Sequence, residues 1–159
     1  MERRDYWLLF GRTLCMALAV AVLAIAPRSE EEPTGTLAVF VAVKTTVSLE
    51  ILWGPFKLMM HVASLRHWND AGPGDYFGYP FVVVEWVLAV AQWGSASAAW
   101  GVITDPRFSC TGSHGRFCRR YVVSSGIAAL LSVVSVANAT VLVWTRMTHG
   151  QRLLELIGQ

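Results

Sequence analysis

Five charged residues lie inside stretches that are otherwise apolar: Arg12, Lys44, Glu50, Lys57 and Glu85. An ionised side chain in hydrocarbon costs at least a few kcal/mol unless it is paired or hydrated. Each of the five therefore needs a partner or water. Arg12 lies six residues after Tyr6, and Glu85 six after Tyr79. If their segments are helices running the same way, a rise of about 1.5 Å per residue puts both charges at similar depth. A structural salt bridge between them is the expectation. The alternative has Arg12 reaching the headgroups while Glu85 is protonated or hydrated. Glu50 and Lys57 are seven apart and share a helical face, with Gly54-Pro55 between them. Pro55 removes a backbone donor and is expected to kink its helix. Lys57 and Lys44 are expected to snorkel toward opposite membrane faces. Glu50, near the middle, is left either protonated or paired across the bundle or with a second copy.

Other reactive types lack a chemical arrangement. Cys110 and Cys118, with seven residues between them, fit a loop-closing disulfide in an oxidising exterior, but spacing alone leaves that open. Cys15 reads as a packing residue. There is no Cys-x-x-Cys. His61 and His67 are six apart and His114 is isolated, which is not metal-ligand spacing. No phosphate loop or nucleophile elbow occurs. Asn138-Ala139-Thr140 matches a glycosylation sequon but falls inside an apolar stretch, beyond a transferase's reach. The residues suggest no enzyme, cofactor, metal site or small-molecule substrate.

The elements that must position these residues follow from the hydropathy pattern. Of 159 residues, 54% are hydrophobic and 15% charged, with a mean hydropathy of +0.45. Soluble domains carry about 25% charge, so the expected solvent is the lipid bilayer. The net charge of +2 comes without a polybasic run, which gives no reason to expect nucleic acid. Four stretches reach the roughly 20 residues a helix needs to cross: about 6–26, 37–62, 80–103 and 121–147. Their unbroken apolar runs exclude the alternation of a β-barrel. The basic start at Arg3 and Arg4 resembles a signal peptide, yet the core is long for one. Only Ala24-Ile25-Ala26 approaches a cleavage site, so this helix is expected to be retained. The fold expected is an all-α membrane protein, one four-helix bundle with both termini on the same side. Arginines on the two sides balance, so the positive-inside rule ties. The acidic run Glu30-Glu31-Glu32 and the cysteine pair put the termini on the cytosolic side. Small residues four apart, Gly94 with Ala98 and Ser95 with Ala99, mark a helix-packing face. Ser125, Ala129 and Ser132, followed by Ala139, repeat it in the fourth helix. Internal packing and dimerisation would use the same chemistry.

With these residues in view, the layout resembles the CASP-like family of plant membrane proteins. These are relatives of the Casparian strip membrane domain proteins and of the wider MARVEL group. Phe10-Gly11-Arg12-Thr13-Leu14 carries the likeness in helix one. Glu85-Trp86-Val87-Leu88-Ala89, running on to Ser95-Ala96-Ser97-Ala98-Ala99-Trp100, carries it in helix three. Cys110 followed by Gly115-Arg116-Phe117-Cys118-Arg119-Arg120 is similar to that family's second-loop signature. Three features depart from the pattern: Glu85 stands where Asp is usual, helix two carries Lys44, Glu50 and Gly54-Pro55, and the first outer loop is short and acidic. The resemblance implies a non-enzymatic plasma-membrane scaffold that forms homodimers and heterodimers. Some such proteins organise membrane domains and recruit cell-wall-modifying enzymes. The competing expectation is a small transporter or proton-coupled carrier using Glu50, Glu85 and Arg12.

Overall fold

The computed structural model describes residues 3–27, 37–67, 79–105 and 115–157. All four elements are helices: α1 (Arg3–Ile25), α2 (Leu37–His67), α3 (Tyr79–Ile103) and α4 (Gly115–Ile157). Each contains a segment long and apolar enough to cross a membrane: Tyr6–Ile25, Ala38–Ala63, Pro80–Ile103 and Gly115–Trp144. In such segments a helix is favoured because it satisfies every backbone donor and acceptor within itself. Polar residues on the outer faces obey the same rule. Thr13, Ser97 and Thr140 are exposed, and each hydroxyl donates to the carbonyl four residues back, at 2.8–2.9 Å.

The helices form a closed ring in which α1 packs on α2 and α4, and α3 packs on the same two. Neighbours are antiparallel. Lys44 of α2 reaches Pro27 at the end of α1, while Lys57 meets Arg12 near its start. Cys15 of α1 meets Ser135 of α4. This alternation leaves the start of α1 and the end of α4 at one end of the bundle. The exposed Tyr6, Trp7 and Trp144 gather there, in the manner of an interfacial aromatic belt. The bundle is apolar outside as well as inside, with Leu52 76% exposed and many valines facing outward. In water this surface would be a liability; in lipid it is the expected one.

Away from the termini, the interior is an apolar plug. Ala19, Val22, Phe40, Val47, Tyr121 and Leu131 are buried there. The Phe40 and Tyr121 rings meet across the α2–α4 diagonal at 6.3 Å.

Several expectations are corrected. Helix four begins at Gly115 rather than near 121, so Phe117 and Cys118 lie on its first turns instead of in a loop. It continues to Ile157, and α2 continues to His67. Pro55 lies inside α2, with helix on both sides of it. The small-residue face of α3 is split. Ala99 is fully buried and Ser95 bonds Thr46 of α2 at 3.1 Å, but Gly94 and Ala98 are exposed, and a Cβ on Gly94 would meet nothing within 4 Å among the described residues. The cause is angular: neighbouring positions differ by 100° around a helix, so two adjacent four-residue ridges cannot both face one partner. On α4, Ser125 and Ser132 are buried and Ala129 half-buried, all on the inner side.

Candidate functional site

The polar interior begins where the plug ends. Along α2 the inward positions step through Val47, Glu50, Gly54, Lys57 and His61, a 3.6-residue rhythm that puts every one of them on the bundle axis. On α3 the matching positions are Phe81, Glu85, Ala89 and Gln92. Because α2 and α3 are antiparallel, the seven-residue step from Glu50 to Lys57 runs alongside the seven-residue step from Gln92 back to Glu85. Glu50 thus meets Gln92, and Lys57 meets Glu85.

Lys57 is the centre. Its Nζ lies 2.7 Å from Glu50 Oε1 and 3.3 Å from Glu85 Oε2. Gln92 Nε2 donates to the other Glu50 oxygen at 3.0 Å. Arg12 enters from α1 across the bundle diagonal. Its Nη1 donates to the backbone carbonyl of Lys57 at 3.0 Å, and its Nη2 stands 3.7 Å from Glu85 Oε1. That last separation is an ion pair rather than a hydrogen bond. The Phe81 ring sits 5.7 Å from the guanidinium carbon and closes the cluster on the side of the termini. All four charged residues are at most 5% exposed, and their formal charges cancel.

Depth explains why this works. Measured from the end of each apolar segment on the side of the termini, Arg12, Lys57 and Glu85 lie about 8–9 Å in. Glu50 and Gln92 lie about 18–20 Å in, near the middle. The Lys57 side chain links the two layers. The sequence reading sent Lys57 to the headgroups; instead it is buried, because two carboxylates on two helices point into the space it fills. Glu50 has its partner within the same helix and chain. Lys44 lies at the opposite end, donating to Pro27 O at 3.1 Å with its ammonium 3.9 Å from the Phe40 ring centre.

A second polar contact joins α1 to α4. Asn138 Nδ2 donates to Cys15 Sγ at 3.5 Å, and Cys15 shares a 3.6 Å contact with Ser135 Oγ. The Asn138 side chain lies where a Cβ on Gly11 would project, so glycine is what lets these helices meet. Gly54 likewise faces Met16, whose Cγ would be 2.7 Å from an added Cβ.

The structure brings Arg12 and Glu85 together and adds Glu50, Lys57 and Gln92 to the same group. Gln92 was missed in the sequence, though its seven-residue spacing from Glu85 was available as a signal. Cys118 is disulfide-bonded, Cys15 is free, and Cys110 lies outside the described residues. Among the described residues, no three His, Cys, Asp or Glu side chains are placed to hold a metal ion. No protein-family model, curated protein or solved structure matches this chain. The cluster must therefore be interpreted from its own geometry.

Proposed function

We propose that this chain is a non-enzymatic, multi-pass membrane scaffold that associates with itself and with similar membrane proteins. Four helices long and apolar enough to cross a bilayer support the membrane assignment. The observation that carries the association is on α3. Gly94 and Gly101 face outward with nothing within 4 Å of where a Cβ would be, and Ala98 lies exposed between them. Glycine weakens a helix by roughly 1 kcal/mol relative to alanine. Nothing within the bundle requires it here, whereas a second helix approaching closely does. The intramembrane charges favour the same reading, since Arg12, Glu50, Lys57 and Glu85 neutralise one another inside the bundle. The plasma membrane, heterodimers and recruitment of cell-wall-modifying partners follow from the resemblance to CASP-like proteins, and cytosolic termini from the acidic run Glu30-Glu31-Glu32 and the cysteine pair; all are part of the proposal.

The test is association in native lipid. Energy transfer between labelled copies in nanodiscs or cells should report dimers, and Gly94→Leu with Ala98→Leu should weaken them at least fivefold. A protein that stays monomeric at high surface density would sink the reading.

One observation favours a second reading, a proton-coupled carrier. Lys57 holds two carboxylates at once, so a proton arriving at either one changes the balance of the whole group. Flux in reconstituted vesicles that is abolished by Glu50→Gln, with assembly intact, would establish it in place of the scaffold.

A further inference from the structure

The end of the bundle remote from the termini carries three exposed arginines on α4. Arg116, Arg119 and Arg120 stand on one face of the first two turns of α4 and are exposed. Among the described residues none of them forms an ion pair or donates a side-chain hydrogen bond. The contrast with Lys44 at the same end is informative, because that ammonium has a carbonyl and an aromatic ring. The electrostatics of α4 make the arginines harder to account for. A helix N-terminus carries partial positive charge from its unsatisfied N–H groups and favours anions. The first turn of α4 holds no acidic residue, and three cations are added to it. The start of α4 is thus a concentration of positive charge within the helix itself.

The arginines also border a cleft. With Ile25, the last residue of α1, and Val123, one turn further into the apolar segment, they line a cavity of about 270 Å³ between the end of α1 and the start of α4. Ile25 and Val123 are apolar and belong to the membrane-length segments Tyr6–Ile25 and Gly115–Trp144, so they give the cleft an apolar floor. Guanidinium groups recognise phosphate oxygens through paired N–H donors. The site therefore offers phosphate recognition on its aqueous side and an apolar floor on its membrane side.

We infer that this cleft binds an anionic phospholipid, with the headgroup phosphate on Arg116, Arg119 and Arg120 and the upper acyl chain against Ile25 and Val123. The apolar floor selects a lipid over a free anion, and the three guanidinium groups in the lining select an anionic headgroup over a zwitterionic one. The inference rests on the chain being a membrane protein, but not on its self-association.

The test uses the full chain in mild detergent, with lipid binding counted by native mass spectrometry. Phosphatidylglycerol should bind at least tenfold more tightly than phosphatidylcholine of the same chain length. Raising salt should shrink the difference, as expected for partly exposed charges. Arg116→Gln, Arg119→Gln and Arg120→Gln together should abolish it, while the triple lysine replacement should keep most of it. Circular dichroism checks that the variants are folded. If they are not, wild-type protein decides the matter with a phosphatidylglycerol photoreactive near its headgroup, which should label residues 115–123 or Ile25. Equal affinity for the two lipids, labelling elsewhere, or full competition by millimolar inorganic phosphate would overturn the proposal. A chain released from membranes by alkaline carbonate would instead refute the membrane reading itself.

Discussion

Replacing Lys57 by methionine tests the buried cluster most directly. Methionine keeps an unbranched, largely apolar stem of nearly the same length and removes the ammonium. At an effective dielectric of about 20, the 2.7 Å contact with Glu50 is worth about 6 kcal/mol and the 3.3 Å contact with Glu85 about 5 kcal/mol. The 3.7 Å approach of Arg12 to Glu85 is worth about 4.5 kcal/mol on the same scale. These gross attractions are opposed by desolvation and by repulsion between like charges. The net cost of removing one partner from a buried pair is about 3–5 kcal/mol. Lys57→Met should fall at the upper end of that range, because it strands Glu50 near the middle of the apolar segment and leaves Glu85 with Arg12 alone. Arg12→Met should cost less. Adding Glu50→Gln to Lys57→Met restores formal neutrality and should recover about 1–3 kcal/mol. The assay is reversible unfolding in mixed detergent micelles, followed by tryptophan fluorescence and far-ultraviolet dichroism. Additivity of Lys57→Met and Glu50→Gln within about 0.5 kcal/mol would refute the contact. A larger loss from Arg12→Met than from Lys57→Met would refute the central role of Lys57.

Further outcomes follow from neighbouring contacts. Gln92→Leu removes the donor to Glu50 Oε2 and should cost about 1.5–3 kcal/mol in the same unfolding assay, as for a hydrogen bond to a charged group. Gly11→Ala sets a methyl against the Asn138 side chain and should destabilise by about 1–3 kcal/mol; a second change, Asn138→Ala, should relieve part of the loss, and no relief would mean the two helices do not meet there. Gly94→Leu should leave monomer stability within about 0.5 kcal/mol of wild type, as for outward-facing sites; a larger drop would show that this face packs inside the bundle. Thiol labelling of denatured, unreduced protein should modify Cys15 and spare Cys118, and labelling of Cys118 before reductant is added would contradict its bonded state.

The sequence by itself determined the architecture at the level of segments. Four apolar runs of membrane length have one workable backbone solution, so the helices and their approximate limits are legible in the sequence alone. The match in depth of Arg12 and Glu85 was legible too, because helical rise turns residue counts into distance. Helix ends were less clear. Gly115 to Arg120 reads as loop because three arginines and a cysteine interrupt the apolar signal, yet the backbone is already helical there. What only the tertiary structure decided was direction around each helix. Counting residues gives depth but not which neighbour a side chain faces. Hence Lys57 could be sent to the headgroups on paper although two carboxylates receive it in the interior. The same limit let Gly94 and Ser95 pass as one packing face, when a turn of 100° puts the first outside the bundle and the second against α2. Glu50 looked like the most costly residue in the chain for the same reason. Its cost is offset by a lysine two turns along the same face of α2 and by a glutamine on α3, which reaches it only because α2 and α3 are packed antiparallel in this register.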